Sequence, residues 1–287
     1  MFATLEHLAL VLEEEERIYL KSYQYLITYI KMVTDKFRIG KTFISITNPT
    51  DAQERIKASV MAGGGTYVCV SDPRTVIIAT NDEKYRKVME NSLMNTPDGQ
   101  PTLWAASLWG LKNVERTMGP LLFQNMLTNP ASGLKHFLLG DTEETLQGIR
   151  AKAAESNALI VGSYSPDFCS LEEYDYKAIA DIINKSGADI VWIAMRAPKQ
   201  DFFSVNILPY LDKKVCIGVG AAFRFFLGEY KLAPLWIRKL GLMGLYWGRK
   251  GQPWGKFIKN YLLNTVPFIW YLIKIPFLRI AGKKYNQ

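Results

Sequence analysis

Histidine and cysteine are scarce in this chain: His7 and His136 stand alone, and Cys69, Cys169 and Cys216 lie far apart with no Cys-x-x-Cys. That spacing argues against both a disulfide framework and a zinc site. Long apolar runs are missing as well; no stretch reaches the roughly 18 uninterrupted apolar residues of an ordinary spanning helix. The N-terminus puts no basic residue ahead of its apolar stretch, and Glu13 to Glu16 follow directly. A secretory signal is therefore not expected, and a cytoplasmic protein is. Acidic residues nearly vanish from the C-terminal end: residues 224–287 hold 12 Lys or Arg against one acid, Glu229.

What is present is the composition of a globular protein. Of 287 residues, 48% are hydrophobic and 22% charged, enough to bury a full core. The net charge of +8 comes from the C-terminal segment, which also carries four of the seven tryptophans, Trp236, Trp247, Trp254 and Trp270. Cations and interfacial aromatics together suit an anionic membrane surface, each Lys or Arg contributing about 1 kcal/mol there. Lys274 and Pro276 interrupt the apolar patch from Val266 to Ile273, which favours lying on a membrane over crossing it. A solvated basic hairpin stays open as the plainer reading. Nucleic acid is not expected as a partner, because no helix-turn-helix or stacking-sheet pattern accompanies the charge.

Hydrophobic periodicity predicts an N-terminal helix over 5–33, then alternating short strands and helices. Strands are expected at Arg38–Ile46, Thr66–Val70, Lys135–Leu139, Ala158–Gly162, Asp189–Ala194 and Val215–Val219. Helices are expected at Asp51–Met61 with Thr50 or Asp51 as cap, Asp82–Leu93, Glu143–Ser156 and Asp175–Lys185. A further helix starts at Pro101. The alternation implies an α/β fold, a Rossmann-like and largely parallel sheet covered by helices, with ligands at the carboxyl ends of its strands. Three regions follow: an N-terminal helical extension, 1–36; the Rossmann-like domain, 37–228; and a basic, aromatic helical appendage, 229–287. Cutting the chain after about Phe226 should leave a folded core.

Phosphate-binding motifs mostly fail. Gly40-Lys41-Thr42 ends like a Walker A loop, but Asp35 stands where its first glycine belongs. Gly218-Val219-Gly220-Ala221-Ala222-Phe223 follows a strand and opens a helix, yet Phe223 replaces the third glycine and no acid follows at the distance a dinucleotide site needs. The turn either offers backbone N–H groups to a diphosphate or simply lets strand and helix pack closely.

Three segments carry a resemblance. Thr96-Pro97-Asp98-Gly99-Gln100-Pro101-Thr102-Leu103-Trp104-Ala105 with Glu115-Arg116-Thr117-Met118-Gly119-Pro120 is the first. Ala188 to Ala194 leading into Ala197-Pro198-Lys199-Gln200-Asp201 is the second. Gly218 to Phe223 with Gly228, Lys231, Ala233-Pro234, Trp236 and Gly241-Leu242 is the third. In this order and spacing, from about Phe37 to Tyr261, they resemble the WecG/TagA/CpsF glycosyltransferases. The resemblance implies an inverting transfer of a sugar from a nucleotide-sugar donor, commonly a UDP-sugar, to a polyprenyl-diphosphate-linked saccharide in bacterial surface-polysaccharide assembly. It also implies a Rossmann-like domain with a C-terminal appendage at the inner face of the cell membrane.

The resemblance puts the general base on Asp98, whose plainer role is to cap the helix that follows, while Gly99 leaves room for the sugar. No Asp-x-Asp pair is present to hold a metal, so no metal or other cofactor is expected, and the leaving diphosphate falls to Arg116, Lys199 and the turn formed by Gly218, Gly220 and Ala221. Gln200 would bind the donor, and Gly140 matches a family position at the nucleotide. Val70-Ser71-Asp72 stands where the family has Thr-x-Asn, which places Ser71 and Asp72 in the donor site with altered sugar specificity or weakened activity. Met195 and Arg196 replace small residues, and Arg196 either binds phosphate or blocks it. Trp247 stands where an arginine is usual. These departures motivate an alternative, a catalytically impaired relative that binds nucleotide sugar or lipid carrier as an assembly partner. Self-association as a homo-oligomer is left open.

Overall fold

A computed structural model describes residues 35–129, 132–243, 246 and 254–286, with backbone alone for 254–265. The helix expected over 5–33 and the departure at Trp247 lie outside the described residues. Two strands, β1 (Lys36–Ile39) and β2 (Thr42–Ser45), open the described chain as an antiparallel hairpin. Arg38–Ile46 is thus not one strand: Gly40, at φ 63°, reverses the chain there.

The main sheet has six parallel strands: β3 (Thr66–Ser71), β4 (Met94–Pro97), β5 (His136–Gly140), β6 (Ile160–Tyr164), β7 (Ile190–Ala194) and β8 (Val215–Gly218). Their order is β4-β3-β8-β7-β5-β6. The helices are α1 (Pro49–Met61), α2 (Pro73–Asn81), α3 (Glu83–Glu90), α4 (Gln100–Leu108), α5 (Gly119–Leu127), α6 (Glu143–Ala154), α7 (Tyr176–Ser186), α8 (Lys199–Ile207), α9 (Ala222–Leu227), α10 (Leu235–Lys239) and α11 (Trp254–Ile280). The α/β, parallel-sheet expectation holds, with most boundaries displaced by one or two residues.

Local chemistry explains the differences. The cap of α1 is Asn48, whose side-chain oxygen accepts from Thr50 N (3.1 Å) and Asp51 N (3.0 Å), rather than Thr50 or Asp51. Strand β4 escapes the sequence pattern because Met-Asn-Thr-Pro has little strand character. It is an edge strand, where proline is tolerated, and its outer side is covered by the hairpin: Asn95 N donates to Ser45 Oγ (3.0 Å) and Asn95 Nδ2 to the Phe43 carbonyl (2.9 Å).

Side chains alternate between two cores, one on each face of the sheet. Phe137, Leu139, Val191, Ile193 and Cys216 point to one, with Phe37, Tyr85 and Phe203. Leu138, Ile190, Trp192, Val215 and Ile217 point to the other, with Ile56, Phe123 and Phe223. Burial of both faces is what parallel strands require. Trp192, fully buried, lies edge-on to Phe123 at 5.1 Å and donates its indole N–H to His136 Nδ1 (3.1 Å).

The last helix belongs to the first of these cores. Phe268 and Ile275 of α11 are buried in it, and Tyr271 lies against Gly40. Arg279 Nη1 donates to the Leu108 carbonyl (2.8 Å), and Arg38 N to the Tyr285 carbonyl (2.7 Å). A chain cut after Phe226 would uncover this surface, so the core is not complete without residues 266–285. The opposite side of α11 leaves Val266, Ile269, Trp270, Ile273, Phe277 and Ile280 exposed. No helix among the described residues is long and apolar enough to cross a membrane.

Phe268 and Trp270 face opposite ways on one helix. Phe268→Ala should lower unfolding free energy by about 3 kcal/mol through a core cavity, whereas Trp270→Ala should change it by less than about 0.5 kcal/mol. Urea denaturation of the two variants beside the wild type measures both.

Candidate active site

Adjacent strands bring two acidic residues together at their carboxyl ends. The β3–β4 register pairs Ser71 with Pro97, and the ladder is extended by Asp98 N donating to the Ser71 carbonyl (3.1 Å). Asp72 and Asp98 therefore leave neighbouring strands side by side. Asp98 does not cap α4; the capping position is Gly99, with no side-chain cap bond. A Cβ on Gly99 would lie 2.4 Å from Pro73 Cδ, so the missing side chain makes room for Pro73 rather than for a sugar.

The peptide carbonyl of Asp98 is held as firmly as its N–H. Arg116 Nε donates to it at 2.5 Å, while Arg116 Nη2 reaches Met243 Sδ (2.6 Å) from the C-terminal segment. Burial pushes the Asp98 carboxyl up to about 6. Arg116 and the Gly119 backbone N–H work against that shift, and the charge of Asp72 adds to it. A base poised near neutrality is what proton abstraction from a hydroxyl needs. Arg238 lies close enough to depress the Arg116 guanidinium, whose proton affinity is lowered mainly by burial and supported by Asp98. Arg238 Nε is buried without a partner. Arg116 beside Asp98, with Arg238 near enough to act on Arg116, forms a cationic pair suited to an anion.

Two strands away, Gln200 organises β8. Its side chain is buried, its Oε1 accepts from Gly220 N (2.9 Å), and a Cβ on Gly218 would lie 2.8 Å from its side-chain atoms. Gly220 needs its φ of 57°, and Ala222 N is spent on the Val219 carbonyl. Gln200 thus braces the Gly218–Ala221 turn, and the turn's Gly220 N–H is already engaged. Lys199 points away from it: its Nζ donates to the Cys169 carbonyl and sits over the rings of Phe168 (4.5 Å) and Tyr174 (5.0 Å). Arg196 is exposed on the loop after β7. Gly140 ends β5 at φ 99°, with the Ala194 carbonyl 2.9 Å from where a Cβ would be. It lies three strands from β3, about 14 Å at the usual strand spacing. Ser71 is buried and its hydroxyl has no partner. Among the described residues no three His, Cys, Asp or Glu side chains cluster in a way that would hold a metal ion.

Comparison with known proteins decides the class. The family model described as "Glycosyl transferase WecG/TagA/CpsF family" matches residues 37–280. The chain belongs to this family. It is similar to the N-acetylglucosaminyldiphosphoundecaprenol N-acetyl-beta-D-mannosaminyltransferase of Bacillus subtilis (strain 168), 27% identical over 184 residues that cover 63% of this chain and 70% of that protein. It is also similar to the protein of the same name from Bacillus spizizenii (strain ATCC 23059 / NRRL B-14472 / W23), 24% identical over 184 residues with the same coverage.

Within this glycosyltransferase, the residues at β3, β4 and the loop before α5 come together: Ser71, Asp72, Asp98, Gly99 and Arg116. Gln200, Gly218, Gly220 and Ala221 gather at β8, while Lys199 and Gly140 stand further along the sheet edge. Sequence reasoning passed over three contributors. Arg238, which the sequence marks only as one of several basic residues of the C-terminal segment with no role assigned, joins Arg116. Arg74 Nη2 donates to the Ala197 carbonyl (2.7 Å), tying α2 to the loop before Gln200. Asp201, buried behind Gln200, accepts from Tyr85 Oη (2.6 Å) and is pushed up to about 7 by burial, against the hydrogen bonds of Tyr85 and Cys69.

Gly99→Ala tests the packing at the acidic pair. Its methyl group must displace Pro73, so stability should fall by about 1–3 kcal/mol, and transfer activity should fall with it as Asp98 moves. Thermal unfolding together with an activity assay reads both effects.

Proposed function

We propose that this glycosyltransferase moves a sugar from a nucleotide-sugar of the UDP class to a polyprenyl-diphosphate-linked saccharide, with inversion, and that Asp98 is the general base. The observation that carries this reading is the Asp98 carboxylate itself. Its main-chain groups are pinned by Ser71 and Arg116, and burial raises its carboxyl to about 6 beside the Arg116 guanidinium, which Arg238 neighbours in turn. In the proposed step the acceptor hydroxyl attacks the anomeric carbon, its proton passes to Asp98, and the bond to the nucleoside diphosphate breaks. Arg116 and Arg238 stabilise the charge that develops on the leaving diphosphate, with no metal required. The relatives' names, which specify a diphosphoundecaprenol-linked N-acetylglucosamine acceptor, support the acceptor class.

A lipid-linked acceptor has to be met at a membrane surface. Support for that comes from the exposed stripe of α11, where Trp270 stands 54% exposed with Lys274 Nζ 4.8 Å from its ring, and from exposed Leu235, Trp236 and Leu240 on and beside α10. An interfacial helix presents this combination of apolar, aromatic and basic groups. The short segment carrying Arg238 and Met243 links that surface to Asp98. An impaired, purely binding role is less well supported. Asp72 fits the fold as the cap of α2, and Arg196 stands exposed on the loop after β7.

Transfer from a panel of UDP-sugars to a polyprenyl-diphosphate N-acetylglucosamine acceptor tests the reading. Asp98→Asn should lower kcat by a factor of about 10²–10⁴, and full activity in that variant would refute the assignment. The base must be ionised, so the wild-type rate should fall as pH drops through about 6. Burial of the carboxyl sets this limb, modulated by Arg116, Asp72 and the Gly119 N–H, with Arg238 acting through Arg116. In flotation with anionic liposomes, Trp270→Ala combined with Phe277→Ala should reduce the bound fraction several-fold without unfolding the protein. Unchanged flotation would remove the membrane from the proposal.

A further inference from the structure

Among the described residues nothing covers the outward side of α11. Val266, Trp270, Ile273, Phe277 and Ile280 are exposed and recur at steps of four, three, four and three, the seam along which one helix packs on another. A contiguous apolar strip on a surface marks a place where something docks. The helix carries Lys256, Lys259, Lys274 and Arg279 and no acid.

The fold brings one other segment of the chain to this helix. Residues 1–34 lie outside the described residues, and the chain emerges from them at Asp35, whose carbonyl accepts from Ile46 N (2.9 Å). Three residues on, Arg38 N donates to the Tyr285 carbonyl, and the Arg38 carbonyl accepts from Trp109 Nε1 (2.9 Å), next in sequence to the Leu108 carbonyl that holds Arg279. At about 3.3 Å per strand residue, residue 35 stands roughly 10 Å from these contacts at the C-terminal end of α11. The sequence before it predicts a helix, in which Tyr19, Tyr23, Leu26, Ile30 and Val33 recur at steps of four, three, four and three. Laid parallel with residue 33 beside Ile280, the two patterns match rung for rung back to Tyr19 beside Val266. Continued at that register, Glu13 to Glu16 fall level with residues 260–263, next to Lys259 and about one turn from Lys256.

We propose that residues 19–33 pack as a helix along the exposed stripe of α11 in the protein free of membrane. A tether of a few residues gives this segment a local concentration on the order of millimolar at the stripe, an advantage no separate partner has. Charge favours it as well, since residues 1–35 hold six acids against three bases and α11 is purely basic. Four consecutive glutamates are repelled by anionic lipid, so the segment belongs on the protein and not on the surface that α11 would meet. Segment and lipid then compete for one stripe, and membrane placement begins with displacement of the cover. That last step alone rests on the membrane reading above.

The test uses the full chain with Cys169→Ser, which leaves only the buried Cys69 and Cys216. Leu26→Cys with Ile273→Cys puts two thiols on a matched rung, and Thr28→Cys with Ile273→Cys puts one of them on the far side of the expected helix. Oxidised without lipid and read on a non-reducing gel, the first pair should close an intrachain disulfide at least about tenfold faster than the second, because the bond demands close Cα atoms. Equal rates overturn the proposal, and so does a first pair that links two chains, which would assign the stripe to a second copy. Flotation separates a cover from an anchor. Leu26→Glu should raise the fraction bound to phosphatidylglycerol liposomes several-fold; a fall would make the segment itself the anchor and overturn the proposal. With no flotation in either protein the membrane reading falls, and the cover stands or falls by the disulfide.

Discussion

One main-chain hydrogen bond, Asp98 N–H to the Ser71 carbonyl, carries the β3–β4 ladder one step past the end of both strands. With it the peptide group of Asp98 is fixed on one side. Arg116 fixes it on the other through the carbonyl, and Thr117 N binds the neighbouring Pro97 carbonyl at 2.9 Å. The backbone has no freedom left there, so the carboxylate is presented rather than sampled. Pro73 fills the space beside Gly99 and sets the approach of the α2 turn. Register, not proximity in sequence, is therefore what makes Asp72 and Asp98 a pair. Burial above all, with the neighbouring charge of Asp72 adding to it, raises the proton affinity of Asp98, a property a general base can use.

The C-terminal segment ties this site to the rest of the molecule in two ways. Arg238 and Met243 reach Arg116, and α11 completes the hydrophobic core with Phe268 and Ile275. One helix thus carries two apolar stripes. The buried stripe repeats at 268, 271, 272 and 275, and the exposed one at 266, 269, 270, 273, 277 and 280, each with helical spacing. A helix apolar on both sides needs a second partner, and the proposed membrane surface is one that Lys274 and the interfacial ring of Trp270 would suit. Folding and the proposed membrane placement would then draw on the same element.

Legibility in the sequence followed locality. Helix caps, the alternating strand pattern and the glycine-rich turn before α9 depend on neighbours a few residues away, and most of these elements could be placed from residue order. Asp98, Arg116, Gln200 and Gly218 could be named because their motifs are contiguous, and the structure puts them at the carboxyl ends of strands as a parallel sheet dictates. β4 could not be seen, because Asn95 and Pro97 suit a strand only where the β1–β2 hairpin supplies partners. The work of Lys199 was misjudged because its target, the loop holding Phe168, Cys169 and Tyr174, lies some thirty residues earlier in the chain.

The amino-acid sequence by itself determined the α/β class, the charge division of the chain and the family-bearing segments, because these rest on composition, short-range periodicity and contiguous motifs. The tertiary structure alone decided which groups meet. It set Asp72 beside Asp98 and Arg238 beside Arg116, turned Gln200 into the brace of Gly220, and drew the last helix into the core. The physical reason is the same in each case: strand order and helix packing bring together residues far apart in sequence, and no local pattern encodes the distance between them.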